Sequence, residues 1–308
     1  MRTLTGGERG FLLLTSCLGD PARKPLTAAQ FRELTHRVKL MTDDDVSREL
    51  KESDLTALGY SGEFARHILK LLDEEDLLFC CLRRARQQGC VPITRASQAY
   101  PLILRKRLGE DAPGVLWAKG DLNLLDTPAI ALVGSRDLKD ANREFAREVG
   151  IQAAKQGLTL VSGNARGADR EAQDACLAAG GRVISIVADS LASHGQRENV
   201  LYLSEGGFEE GFSSQRALSR NRCIHALGRM VFVAQASLGK GGTWDGTVKN
   251  LRRGWSSVAC FRDGSEASLE LEQMGAFLVQ PEDLSDLKDL AQMDWNFLAM
   301  ADGSFVGG

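Results

Sequence analysis

Four short segments of this 308-residue chain concentrate the residue types that hold phosphate. They are Gly134-Ser135-Arg136, the run Ser162-Gly163-Asn164-Ala165-Arg166-Gly167-Ala168-Asp169, Ser204-Glu205-Gly206-Gly207, and Leu238-Gly239-Lys240-Gly241-Gly242-Thr243. Glycine lets the backbone approach an anion, free N–H groups at a helix start can bind it, and hydroxyl, guanidinium and ammonium groups add donors. One glycine-rich turn is often purely structural. Four of them, each directly after a short apolar run, make a phosphate-bearing ligand the better reading.

A fifth segment, Arg220-Asn221-Arg222, offers two planar guanidinium forks for adjacent phosphates. It lies in Ser213–Arg229, a stretch without a single acid. Arg136 and Arg222 are expected to share one crevice, with the Gly163–Gly167 turn supplying backbone donors.

Two familiar templates do not fit. Gly239–Thr243 is not a Walker A loop, because the lysine precedes the glycines. Gly134 does not open a G-x-G-x-x-G fingerprint, because Arg136 holds the second glycine position. The four histidines (36, 67, 194, 225) stand near no nucleophile motif, so no catalytic residue is assigned. Seven scattered cysteines, without a C-x-x-C pair, read as reduced thiols, and no metal or cofactor is expected.

These segments need a scaffold. From Ala129 onward, apolar runs short enough for buried strands alternate with helical patterns, as in an α/β fold with a doubly wound parallel sheet. The runs are Ala129–Val133, Leu158–Val161, Val183–Val187, Val200–Leu203, Met230–Val233 and Val258–Phe261, preceded by shorter ones at Cys90–Thr94 and Gly114–Ala118. In such a sheet, ligands bind beyond the carboxyl ends of the strands, where the four segments fall. Residues 1–88 read instead as a small helical domain, with amphipathic spacing at Phe31, Leu34 and Val38 and at Phe64, Ile68 and Leu71.

Composition sets the outer limits. At 43% hydrophobic and 26% charged residues the chain is of globular type, and its apolar runs are too short to span a bilayer. No secretory leader pattern is found at the start, so a cytoplasmic protein is expected. A net charge of -3 hides a strong asymmetry. Nine basic residues and one acid occupy Ser213–Arg262, and ten acids and one base occupy Asp263–Gly308. The basic block can supply a local field for an anionic partner. The acidic end is expected either to compete with that partner or to keep the chain in solution.

At these residues the chain resembles the DprA/Smf family of DNA-processing proteins. The matches run in order through Tyr100-Pro101, Ala118-Lys119-Gly120, Val133–Arg136, Ser162–Asp169, Ser204-Glu205 and Arg220–Ile224. The resemblance implies an extended Rossmann-like domain, taken as 89–290, and the charge pattern marks 291–308 as an acidic tail. The resemblance also implies binding of single-stranded DNA, transfer of that strand to the recombinase RecA, and a homodimer. The phosphate-binding set becomes Gly134, Ser135, Arg136, Ser162, Gly163, Arg166, Gly167, Asp169, Glu205, Arg220, Asn221, Arg222, Lys240, Gly241, Gly242 and Thr243. Phe208, Phe212 and Trp244 are the candidate stacking platforms for bases. The chain differs from the family pattern at Gln235-Ala236, at Lys240–Gly246 and at Arg262-Asp263-Gly264. The alternative reading is a nucleotide or nucleotide-derivative sensor of the related LOG-like superfamily. A weaker one is a nucleotide N-glycosidic hydrolase, in which Asp245 would take the place of a glutamate.

Overall fold

A computed structural model describes residues 3–39, 50–288 and 290. The amino-terminal part is helical: α1 (Gly6–Thr15), α2 (Ala28–Val38), α3 (Glu52–Ala57), α4 (Gly62–Asp73) and α5 (Glu75–Gln87). Side-chain caps set several starts. Thr5 accepts from the Glu8 N–H while Glu8 accepts from the Thr5 N–H, and Thr27 and Gln30 repeat this box on α2. Next come β1 (Val91–Thr94), α6 (Leu102–Leu108), β2 (Val115–Gly120), β3 (Ala129–Val133), α7 (Asp140–Lys155), β4 (Thr159–Ser162), α8 (Ala168–Ala178), β5 (Arg182–Ile186) and β6 (Val200–Ser204). The described part continues with α9 (Ser214–Leu227), β7 (Met230–Val233), α10 (Gly242–Arg253), β8 (Ser257–Phe261), α11 (Glu266–Gln273) and β9 (Phe277–Val279).

The strands form one sheet in the order β1-β2-β6-β5-β4-β3-β7-β8-β9. All neighbours from β6 through β9 are parallel, and β1 and β2 are added antiparallel at one end. The chain winds outward from β3 in both directions, to β4 on one side and to β7 on the other. That reversal opens a crevice beyond the strand ends.

Both faces of the sheet are buried, which is why its strands read as unbroken apolar runs. Ile130 and Leu132 of β3 face a core with Phe145 and Val149 of α7 and Ala172 of α8. Ala129, Ala131 and Val133 face the opposite core, with Leu104 of α6, Ile224 of α9 and Val248 of α10. A Cβ at Gly150 would overlap the Ala172 carbonyl, so glycine lets α7 and α8 pack closely. Asn142, at the start of α7, donates to the Ala234 carbonyl at 2.7 Å and to Asp263 Oδ2 at 2.8 Å, tying the helix to the ends of β7 and β8.

The helical part has its own small core of Leu14, Leu26, Leu34, Leu55, Ala65, Ile68 and Leu71. It is also stitched to the sheet, because Leu12, Leu13, Leu78, Cys81 and Ala85 belong to the same buried cluster as Trp117, Tyr202 and Phe208.

The acidic end is partly structural. A 3-10 turn at Pro281–Asp286 puts Leu284 and Leu287 fully into the core on α7, and Gln156 clasps it by donating to the Leu284 carbonyl and accepting from the Leu287 N–H. Removing everything after Gln280 would take away both leucines, each worth about 1.5–3 kcal/mol of burial. Testing the acidic end as a competitor therefore requires a cut beyond Lys288. The tail expected at 291–308 lies outside the described residues. No helix among the described residues is long and apolar enough to cross a membrane.

Candidate functional site

A cavity of about 430 Å³ opens beyond the carboxyl ends of β3 and β7 and beside the turn after β4, walled by α8, α9 and α10. Its floor is set by glycine. A Cβ at Gly134 would overlap that of Ala168, and one at Gly167, which has φ +85°, would overlap the carbonyls of Ser135 and Arg136. The Gly134–Arg136 turn is thereby pressed between α8 and the loop after β7. The Ser135 N–H donates to the Gln235 carbonyl at 2.9 Å, and the Ala168 N–H donates to the Ser135 carbonyl at 3.1 Å.

Part of the Gly163–Gly167 turn is committed inside the protein, since the Ala165 N–H donates to Asp169 Oδ2 at 3.2 Å, and the Ala168 N–H that follows the turn donates to the Ser135 carbonyl at 3.1 Å. The start of α10 also faces the cavity. Gly241, Gly242 and Thr243 line it, no side chain caps the helix, and Thr243 Oγ1 anchors it by donating to the Gly134 carbonyl at 2.9 Å. The positive end of the α10 dipole thus points at the space where an anion would sit.

Three cations line the cavity, in two different states. Arg136 and Lys240 are exposed, and neither has an ion pair or side-chain hydrogen bond among the described residues. Arg220 is 7% exposed and lies 3.8 Å from Asp169 Oδ2, while its Nε has no partner among the described residues. Gly163 makes room for it, since a Cβ there would run into the guanidinium. Burial pushes the Asp169 carboxyl up from its ordinary value, against the pull of Arg220. Burial likewise pushes Arg220 down, against the pull of Asp169 and Glu205. The pair forms a fixed polar wall under the two free cations.

The structure brings Gly134, Ser135, Arg136, Asp169, Arg220, Asn221, Lys240, Gly241, Gly242 and Thr243 to this lining. Ser162, Gly163 and Gly167 lie behind the lining. Arg166 is exposed outside it and pairs with Asp137 at 2.7 Å.

Arg222 and Glu205 are also outside it, which corrects the expectation that Arg136 and Arg222 share one crevice. Arg222 Nη2 is 2.8 Å from Glu205 Oε2, and its Nε and Nη1 donate to the carbonyls of Asp111 and Ser219. Glu205 further accepts from Ser219 Oγ and from Cys223 Sγ, whose thiol is pushed well up by burial and by this carboxylate. Residues two apart on a helix do not face the same way, so α9 sends its two arginines to different surroundings. That spacing rule was the signal in the sequence that separates them.

Among the stacking candidates, Phe208 and Trp244 are buried at 2% and 8% exposure, and Phe212 is 60% exposed. Residues that sequence reasoning missed include Ser214, Ala217 and Leu218 on the Asn221 side of α9. Gln235 was noted only as a departure from the family pattern. Its amide accepts from the Lys139 N–H and donates to the Asp137 carbonyl, bracing the loops on both sides of the opening.

The model of the DNA recombination-mediator protein A family matches residues 92–284. DNA processing protein DprA of Streptococcus pneumoniae is 34% identical over 182 residues, covering 55% of this chain and 64% of that protein. Protein Smf of Borreliella burgdorferi is 25% identical over 226 residues, 69% of this chain and 70% of that one. The match to the Bacillus subtilis DprA spans 54% of its length, so the first curated relatives are matched over little more than half to two thirds of theirs. The X-ray structure of the Streptococcus pneumoniae protein superposes with a TM-score of 0.67 at 25% identity, covering 92% of this chain and 98% of that chain. The Helicobacter pylori DNA processing protein A superposes at 0.53 with 24% identity over 68% of this chain and 96% of that chain, a likeness of fold. The doubly wound sheet, the ordered loop motifs at its strand ends and the family match over 92–284 lead to one assignment: this chain belongs to the DNA recombination-mediator protein A family.

Proposed function

We propose that this chain binds single-stranded DNA through its phosphates, acts in DNA recombination, and does so as a homodimer that passes the strand to a RecA-type recombinase. The observation that carries the binding step is the pair of uncommitted cations, Arg136 and Lys240, at a cavity onto which an uncapped helix start opens. Exposed Phe212, Leu218 and Leu238 come from the same segments as the lining and give bases apolar surface beside the phosphates. Single-stranded DNA is also what the Helicobacter pylori protein binds. The dimer reading draws on β9, an edge strand whose Phe277, with Leu269 of α11, is exposed.

A nucleotide sensor is the second reading, because about 430 Å³ also suits a small ligand. The hydrolase reading is disfavoured, since Asp245 lines a neighbouring cavity and not this one.

The test is a titration with single-stranded DNA, duplex DNA and mononucleotides at two salt concentrations. Single-stranded DNA is expected to bind best, without base preference, and more weakly at higher salt. Arg136→Ala removes a charge-assisted contact of about 1.5–3 kcal/mol, so affinity should fall about 10- to 150-fold. Arg86→Ala, on the exposed side of α5, is the control and should change little. If no complex forms at micromolar protein, or mononucleotides bind as tightly as the strand, the sensor reading replaces this one.

A further inference from the structure

A second cavity, of about 370 Å³, lies on the other side of α9 and α10. It shares Leu218, Asn221 and Gly242 with the strand-end cavity, so these three residues form a common ridge between the two. The ridge is low because α10 has glycine at both positions facing α9. A Cβ at Gly242 would come within 3.1 Å of Leu218 Cδ2, and one at Gly246 within 3.1 Å of His225 Nε2. A glycine inside a helix costs about 1 kcal/mol relative to alanine. Here the glycines let the helices approach and leave the groove open.

The walls of this second cavity are chemically distinct from one another. On the α9 side, Arg222 is already satisfied by Glu205, Asp111 and Ser219. On the α10 side, Lys249 and Arg253 follow Asp245 at intervals of four residues and line the same face. Both are exposed, and neither has an ion pair or side-chain hydrogen bond among the described residues. Asp245 stands in the first turn of α10, where a carboxylate offsets the helix dipole. Lys249 stands one turn on from Asp245, with no ion pair between them among the described residues, and Arg253 lies at the far end of the helix. Trp255, 9% exposed, closes that end with its ring.

Resting on the single-strand reading above, the geometry points to this groove as a second phosphate subsite for the same strand. Lys249 and Arg253 hold a phosphodiester downstream of the one at Arg136 and Lys240, and the strand crosses the Leu218–Gly242 ridge between them. From Gly242 the α10 axis runs about 10 Å to Lys249 and about 16 Å to Arg253, at 1.5 Å per residue. At 3.4 Å per stacked nucleotide that is about three to five nucleotides, fewer if the strand is extended. A dinucleotide therefore fills one subsite, and only a longer strand reaches both.

The experiment uses the full chain and two probes, an oligothymidylate of about 20 nucleotides and a 5′-phosphorylated thymidine dinucleotide as its competitor. The double variant Lys249→Ala/Arg253→Ala is compared with the parent and with Arg136→Ala over a salt series, each with a thermal melt. The double variant should bind the long strand about tenfold or more weakly. Losing the hold on that one phosphodiester should also flatten the slope of log affinity against log salt by about 0.7. The dinucleotide should keep its own affinity and therefore displace the more weakly held strand at lower concentration than from the parent, whereas Arg136→Ala should weaken both probes. Unchanged affinity and slope in the double variant, with Arg136→Ala impaired, overturn the second subsite and leave the first reading standing. Equal loss of both probes in the double variant also overturns it, since the groove would then not be a separate subsite. A parent that binds neither probe overturns the single-strand reading and this one with it.

Discussion

Arg220→Ala is expected to lose both ligand and fold stability, an outcome distinct from that of the exposed Arg136. The substitution leaves the Asp169 carboxylate buried without its cation. Breaking a buried pair from one side typically costs about 3–5 kcal/mol. At about 1.5 °C per kcal/mol for a chain of this length, the melting temperature should fall by roughly 5–8 °C. Binding should fall as well, because the guanidinium lines the cavity and its Nε–H remains unspent. The double variant Arg220→Ala/Asp169→Asn separates the two effects. It removes the orphaned charge and keeps an acceptor for the Ala165 N–H, so the melt should recover most of the loss while DNA affinity stays low. A single variant that melts with the parent would show that the pair carries no such weight.

The second large effect is acid destabilisation through His225. This side chain is fully buried, neither ring nitrogen has a hydrogen-bond partner among the described residues, and burial pulls its pKa down to about 3. In the unfolded chain the ring takes a proton below about 6.5, while the native protein refuses it until about pH 3. Unfolding therefore gains protons across that window, and stability should fall steadily as pH drops through it. At 1.36 kcal/mol per unit the full loss is about 5 kcal/mol, about half of it by pH 4.5. Asp169 works in the opposite direction. Its raised pKa makes the native state hold a proton more tightly, a contribution present at low pH and lost as pH rises through that value. Comparison with His225→Leu isolates the histidine. The variant should match or exceed the parent at pH 7, since it removes two unpaired polar atoms, and should lose less on acidification. Denaturant midpoints at pH 7 and pH 4.5 give the answer, and parallel losses in both proteins would refute it.

Much of the fold was legible because a sheet buried on both faces leaves an unbroken apolar signature. Ala129–Val133 and Met230–Val233 read with the same bounds in sequence and structure. β9 was not seen, because it has three residues, and Phe277 is exposed and Leu278 only half-buried. The site was legible in its glycines and less so in its charges. Gly134 and Gly167 are required by close backbone approach, a local property that composition after a strand reveals. The spacing of Arg220 and Arg222 sets them on different sides of α9, but which of the two meets the cavity depends on how the helix is rotated. Burial of Phe208 and Trp244 depends on packing partners far along the chain, such as Trp117 against Phe208, at 4.8 Å between ring centroids.

The strand order also has a consequence for how the chain is made. β2 lies between β1 and β6, and its partner residues at Leu201–Ser204 follow it by some 80 positions. At about 5–20 residues per second, synthesis takes roughly 4–16 s to cover that interval. Over that time β2 offers an open row of backbone donors and acceptors, and the ring of Trp117 waits for Phe208. Helices α1 and α5 precede β2 in the chain and contribute to the cluster that Trp117 and Phe208 share, so one side of that cluster is made before its last members, while the β2 edge itself is paired only once β6 has been made.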